Sequence, residues 1–153
     1  MPTPSNIIEQ LKRDEALMLT PYRDSSKATG FEGKPGKLTI GYGRNLEDEG
    51  ITREEAVAML NDDIFAKEKL LLRALPWSGN LLNTPDAPRF WVLVNMAFNM
   101  GIEGLLKFHR MLSAMEAKNW EAAAQEMLNS DWVNEVGDRA RRLAEQMRTG
   151  EWQ

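Results

Sequence analysis

The chain contains no cysteine. That absence excludes a disulfide framework, a thiol nucleophile and a thiolate zinc site. It holds one histidine, His109, which leaves a multi-histidine metal site or a Ser-His-Asp triad poorly supplied. It has no apolar run near ~18 residues, so a membrane-spanning helix is ruled out. It has no basic excess: 19 Lys and Arg stand against 23 Asp and Glu, a net charge of −4. A nucleic-acid partner, which usually leaves a basic footprint, is not expected. The stretch Met1–Gln10 lacks a basic segment followed by an apolar one, so no secretory signal is expected and synthesis in the cytoplasm is. There is no internal repeat and no low-complexity tract. Any chemistry must therefore run on carboxylates, hydroxyls, lysine or backbone, and neither a metal nor a cofactor is expected.

What the chain does have suffices for one folded domain. Its 153 residues are 42% hydrophobic and 27% charged, which argues against wholesale disorder. Ile8 and Leu11 lie on one face of a first helix, about residues 4–14, and Glu15 continues that stripe. Leu17, Leu19 and Tyr22 then read as a short strand ending at Asp24. Residues 25–37 are polar, with Gly30, Gly33, Pro35 and Gly36, and read as a loop. Leu38, Ile40 and Tyr42 alternate with Thr39, Gly41 and Gly43, the period of a strand. Glycines inside a strand often mark the close approach of a ligand or of another backbone. The connections are too short for a helical crossover, so the sheet is expected to be antiparallel.

Thr52 and Glu55 form a Thr-x-x-Glu capping box. Helical spacing then continues through Leu60, Ile64 and Leu71 until Pro76 stops it. Arg89 to Met100 is apolar nearly all round, as befits a buried central helix ended by Gly101 and Gly104. Trp120 to Leu128 and Arg139 to Met147 are amphipathic, and Gly150 closes the last helix. The expected class is α+β. A small antiparallel lobe, about 14–51, joins through a long helix, about 52–75, to a mainly helical lobe, about 76–153, on which the helix at 4–14 packs.

Glu15 and Asp24 lie nine residues apart, across a strand, and Thr39 opens the glycine-bearing strand. Two carboxylates in different environments suit glycoside hydrolysis. One stays protonated and gives its proton to the leaving oxygen; the other is ionised and activates a water. Partial burial would raise the first, and an open polar turn would leave the second charged. By itself a Glu and an Asp at this spacing is weak, since most such pairs are surface charges.

Longer stretches carry more. Asp14-Glu15-Ala16-Leu17, Pro21-Tyr22-Arg23-Asp24 and Leu38-Thr39-Ile40-Gly41-Tyr42-Gly43-Arg44-Asn45-Leu46 resemble the phage-type lysozymes, glycoside hydrolase family 24. Val94-Asn95-Met96-Ala97-Phe98-Asn99-Met100-Gly101, Trp120-Glu121-Ala122-Ala123, Ser130-Asp131-Trp132, Arg139-Ala140-Arg141-Arg142 and Arg148-Thr149-Gly150-Glu151-Trp152 follow in the family's order. The resemblance covers nearly the whole chain. It implies a lysozyme-like fold and a muramidase that cuts the β-1,4 bond between N-acetylmuramic acid and N-acetylglucosamine in peptidoglycan. It puts the general acid on Glu15. Asp24 and Thr39 would hold the attacking water, with inversion. Phe98 and Asn45 fall on positions lining the sugar cleft, and Arg139 on an arginine that pairs with the catalytic glutamate. It further implies an endolysin, a monomer, released from the host cytoplasm to the periplasmic wall by a holin, that lyses the host cell.

The chain also departs from that family. Ser25 to Leu38, fourteen residues, separate Asp24 from Thr39, where relatives have only a few. The insertion offers Glu32 as a rival second carboxylate. Asn45 replaces an apolar cleft residue, and Met111 and Glu126 replace uncharged polar contact residues. Trp91, Trp120 and Trp132 fit core packing better than sugar stacking, and the nine methionines read as gap-filling core. Glu47-Asp48-Glu49 reads as a solvated acidic turn, and His109 as a surface histidine. The basic helix around Arg139, Arg141, Arg142 and Arg148 fits a solvated face better than a membrane contact. Two other functions remain open at this point: a lytic transglycosylase on the same bond, and a non-catalytic wall-binding module.

Overall fold

A computed structural model describes residues 6–24 and 36–153. It divides the chain into two compact units, Met1–Val57 and Ala58–Gln153.

The first unit opens with helix α1 (Ile7–Asp14). Asn6 caps it: its side chain accepts a hydrogen bond from the Glu9 N–H at 3.0 Å, satisfying one of the donors a helix start leaves unpaired. Glu15 ends the helix in an extended conformation, its N–H still donating to the Leu11 carbonyl. Strands β1 (Met18–Asp24), β2 (Lys37–Gly41) and β3 (Arg44–Asn45) then form an antiparallel sheet in the order β1-β2-β3. The alternation along the chain does not separate the short strand β3 from β2. The chain turns between them through Gly41 (φ +68) and Gly43 (φ +81). The strand glycines thus serve the hairpin itself, in a backbone region that side chains with a Cβ rarely adopt.

The acidic turn after β3 has a structural role that its polar composition hides. Glu47 pairs with Arg23 and accepts the Leu38 N–H, Asp48 pairs with Lys37 at 2.7 Å, and Arg44 reaches Glu49 and Glu55. The turn is thereby clasped to all three strands. The Lys37 hydrogen bond holds the Asp48 carboxyl below its usual range, and the same bond raises Lys37.

Helix α2 (Arg53–Ala74) follows. Its capping box is reciprocal: Glu55 N–H donates to Thr52 Oγ1 at 3.1 Å and Thr52 N–H donates to Glu55 at 2.7 Å. At 22 residues it is about 33 Å long. The second unit continues through a 3-10 turn (Pro76–Leu81), α3 (Ala87–Leu106), α4 (His109–Glu116), α5 (Trp120–Leu128), α6 (Trp132–Val136) and α7 (Asp138–Thr149).

Helix α3 is the centre of the core, with Phe90, Val92, Leu93, Met96 and Ala97 fully buried. Gly101 interrupts it but does not end it: at φ 77, ψ 165 it kinks the chain, and helix resumes to Leu106. That backbone region is open essentially to glycine alone. Trp132 is buried, and Arg89 lies over the Trp120 ring with its guanidinium carbon 4.5 Å from the centroid. Met96, Met111, Met115, Met127 and Met147 are core residues, whereas Met18 and Met59 are exposed, so methionine is not uniformly gap-filling here. On α7, Arg141 pairs with Asp138 and Arg148 with Glu145, which neutralises half of the basic face.

Candidate active site

Cross-strand register places the first set of residues. Tyr22 stands opposite Thr39, Asp24 opposite Lys37, and Thr39 opposite Asn45. Directly opposed residues share a face of the sheet, as do residues two apart on one strand. Tyr22, Asp24, Lys37, Thr39 and Asn45 therefore lie on one face. Asp24 and Thr39 are diagonal neighbours on adjacent strands, a relation that corresponds to a separation of roughly 7–8 Å. The long insertion does not pull them apart, because β1 and β2 pair up to its two ends. Residues 25–35, including the rival carboxylate Glu32, lie outside the described residues.

Thr39 is fully buried, and its hydroxyl donates to the Lys37 carbonyl at 3.0 Å. A hydroxyl that donates its proton keeps its lone pairs as acceptors. The Asn45 side chain is engaged locally. Its oxygen accepts the Glu47 and Asp48 N–H groups at 3.1 and 3.2 Å, and its nitrogen donates to Asp48 at 2.8 Å. It shapes the turn that clasps the sheet.

Glu15 is exposed at the end of α1, so partial burial is not what this structure supplies to it. One turn earlier, the Lys12 ammonium sits 5.9 Å from the Tyr42 ring centroid. That cation–π distance ties the last turn of α1, and with it Glu15, to the β2–β3 hairpin.

The second unit carries the other two residues. Phe98 is 41% exposed, unlike its buried neighbours Met96 and Ala97. With Arg139 it lines a cavity of about 500 Å³ walled by Leu60, Ile64, Trp91 and Trp152. The Arg139 guanidinium is held by Asn95, whose Oδ1 accepts from Nε at 3.0 Å and from Nη2 at 2.7 Å. One turn further along α3, Asn99 accepts the Trp132 indole N–H at 2.8 Å. Sequence reasoning missed both asparagines. They lie in a stretch where apolar neighbours dominate, and only their interruption of that run signals them. Glu126 and His109 line a separate groove of about 360 Å³, with Lys107, Arg110 and the buried Met111 also in its wall.

These features can be set beside known proteins. The model of the Phage lysozyme family matches residues 12–149. Two relatives from Dictyostelium discoideum, "Probable T4-type lysozyme 1" and "Probable T4-type lysozyme 2", are 27% and 28% identical, each match covering 95% of both chains. The "Pre-baseplate central spike protein Gp5" of Enterobacteria phage T4 is 30% identical over 98% of this chain, which spans 29% of that longer protein. A single family match thus takes in Glu15, both strands bearing Asp24 and Thr39, the central helix with Phe98, and Arg139. The chain belongs to the phage lysozyme family and is a lysozyme, a glycosidase that hydrolyses peptidoglycan.

Proposed function

We propose that this lysozyme is an endolysin that hydrolyses the β-1,4 bond between N-acetylmuramic acid and N-acetylglucosamine with inversion. Glu15 is the general acid and protonates the glycosidic oxygen as the bond breaks. Asp24 and Thr39 hold the water that attacks from the opposite face. The water donates one hydrogen to the Asp24 carboxylate and the other to the Thr39 oxygen, whose own proton is committed to the Lys37 carbonyl. Its lone pair is thereby left for the anomeric carbon, and Asp24 takes up the released proton. For inversion the acid and base carboxyls stand roughly 6.5–9.5 Å apart.

One observation carries this reading: the register that puts Asp24 and Thr39 on one face of adjacent strands. A transglycosylase, which closes a 1,6-anhydro ring and needs no held water, gives no reason for that pairing. In the second unit, Phe98 offers an aromatic face to the sugars and Arg139 a cation beside it. The enzyme acts as a monomer on the periplasmic wall. It is made in the host cytoplasm, reaches the wall through a holin, and lyses the host.

The test is mass spectrometry of fragments released from purified peptidoglycan by the wild type and by Glu15→Gln. Reducing N-acetylmuramic acid ends from the wild type alone are expected. Anhydro ends would make it a transglycosylase. No release by the wild type would leave a wall-binding module.

A further inference from the structure

We infer that Asn95 is a positioning residue, which fixes the Arg139 guanidinium at the cavity wall while leaving its charge uncancelled for a carboxylate. The inference rests on the lysozyme reading only for its assay. Three observations on the second unit support it.

The first is how the arginines of α7 are held. Arg141 and Arg148 each pair with an acid three residues away on the same helix. Among the described residues of the second unit, none forms an ion pair with Arg139. It is held across 44 residues of sequence by a neutral amide. The second is the geometry of that hold. One oxygen accepts from both Nε and Nη2, and the Asn95 backbone carbonyl adds a longer contact to Nη2 at 3.4 Å. Two donors on one acceptor, plus the backbone contact, fix the plane of the fork. Nη1 takes no part in that hold. The third is the setting. Asn95 and Arg139 stand in the shared wall of two cavities, of about 500 and 370 Å³, with Trp91 and Trp152 beside them. A cation at an apolar, partly enclosed wall is screened less than one in open water.

An aspartate at position 95 would grip the fork at least as well, through charge-assisted bonds. It would also cancel the charge. The amide separates orientation from neutralisation, which is useful only if another anion is to meet Arg139. The chemistry this fits is a carboxylate, either on the peptidoglycan substrate or on an acidic side chain of the enzyme.

The experiment compares Asn95→Ala, Asn95→Asp, Arg139→Ala and the Asn95→Ala/Arg139→Ala double variant. It measures kcat, KM and their pH profiles on solubilised peptidoglycan, with thermal midpoints alongside. Asn95→Asp is expected to keep or raise the midpoint yet lose tenfold or more in kcat/KM. Asn95→Ala is expected to lose a similar factor in the wild-type background and less than twofold once Arg139 is alanine. A substrate carboxylate shows as a rise in KM with the pH profile unmoved. An enzyme carboxylate shows as a fall in kcat with the pH limb that its own ionisation governs moved upward (the basic limb for a general acid, the acidic limb for a base), since a neutralised Arg139 no longer favours the ionised form. Full activity in Asn95→Asp, or additive losses in the cycle, overturns the inference. A wild type inactive on peptidoglycan sinks the lysozyme reading instead. The hold itself is then read by NMR: a slowly exchanging Arg139 Nε–H is expected in the wild type and Asn95→Asp but not in Asn95→Ala. A rapidly exchanging Nε–H in the wild type overturns the positioning role whatever the activity.

Discussion

A hydroxyl that donates to a backbone carbonyl still has lone pairs to offer, and this governs what Thr39 is able to do. Its proton is fixed on the Lys37 carbonyl, so it meets a water as an acceptor. Thr39→Val keeps the shape and removes that acceptor. Turnover is expected to fall roughly 10²-fold or more, on the scale of losing one acid–base partner. Stability should change by only about 1 kcal/mol, the usual worth of one hydrogen bond, and Thr39→Ser should restore turnover. Steady-state rates beside urea midpoints check both halves. Gly150 poses a packing question. It ends α7 at φ +75, and a Cβ there would lie 2.8 Å from the Arg89 guanidinium carbon. Arg89 in turn donates to the Met147 and Arg148 carbonyls at 2.8 and 3.0 Å, closing the end of the helix. Gly150→Ala strains the backbone and displaces this clamp together. A loss of roughly 1–3 kcal/mol is expected from the backbone conformation alone, measured by denaturant unfolding with activity per folded molecule preserved.

At the scale of elements, the capping box and the clasped hairpin are the local devices that define the first unit. Thr52→Ala removes the acceptor for the Glu55 N–H and is expected to cost about 1 kcal/mol of stability. Glu55 is held below its usual range, first by the Thr52 N–H, and Asp48 first by Lys37. Groups depressed on folding stabilise the fold above their ordinary range, and that stabilisation is lost as pH falls through the folded values. Lys37, raised on folding, contributes below its ordinary range and ceases to contribute as pH rises through its folded value. The hairpin should therefore be insensitive to pH across neutrality. It should weaken below roughly pH 4 and again above roughly pH 10. Chemical shifts of the Leu38 and Asp48 amides, followed against pH, report it. A hairpin whose amides do not move at pH 3 would show that these pairs contribute nothing.

At the scale of the molecule, the two units are stabilised differently. Every buried apolar side chain among the described residues belongs to Ala58–Gln153. The first unit rests on strand hydrogen bonds, caps and exposed ion pairs, each worth little alone and screened by salt. Amides of β1 and β2 are expected to exchange with solvent faster than those of α3, and faster still at high salt. Native-state hydrogen exchange tests this, and equal protection in both units would contradict it.

Many of these elements are legible in the order of residues alone. The stripe ending at Glu15, the Thr52–Glu55 box, the alternation through Thr39 and the helix at Trp120–Leu128 are local, and local periodicity survives whatever surrounds it. The full length of α3 is not legible, because a glycine reads as a stop whether it ends a helix or kinks it. Nor is the function of the acidic turn: solvated charges and clasping charges have the same composition. The residue types by themselves determined an α+β fold and a chemistry limited to carboxylates, hydroxyls, lysine or backbone, since cysteine is absent and histidine nearly so. Only the tertiary structure decided that Asp24 and Thr39 share a face across fourteen residues, and that Asn95 holds Arg139 across 44. Register and long-range hydrogen bonds depend on how distant segments pack, and no periodicity along the chain encodes that.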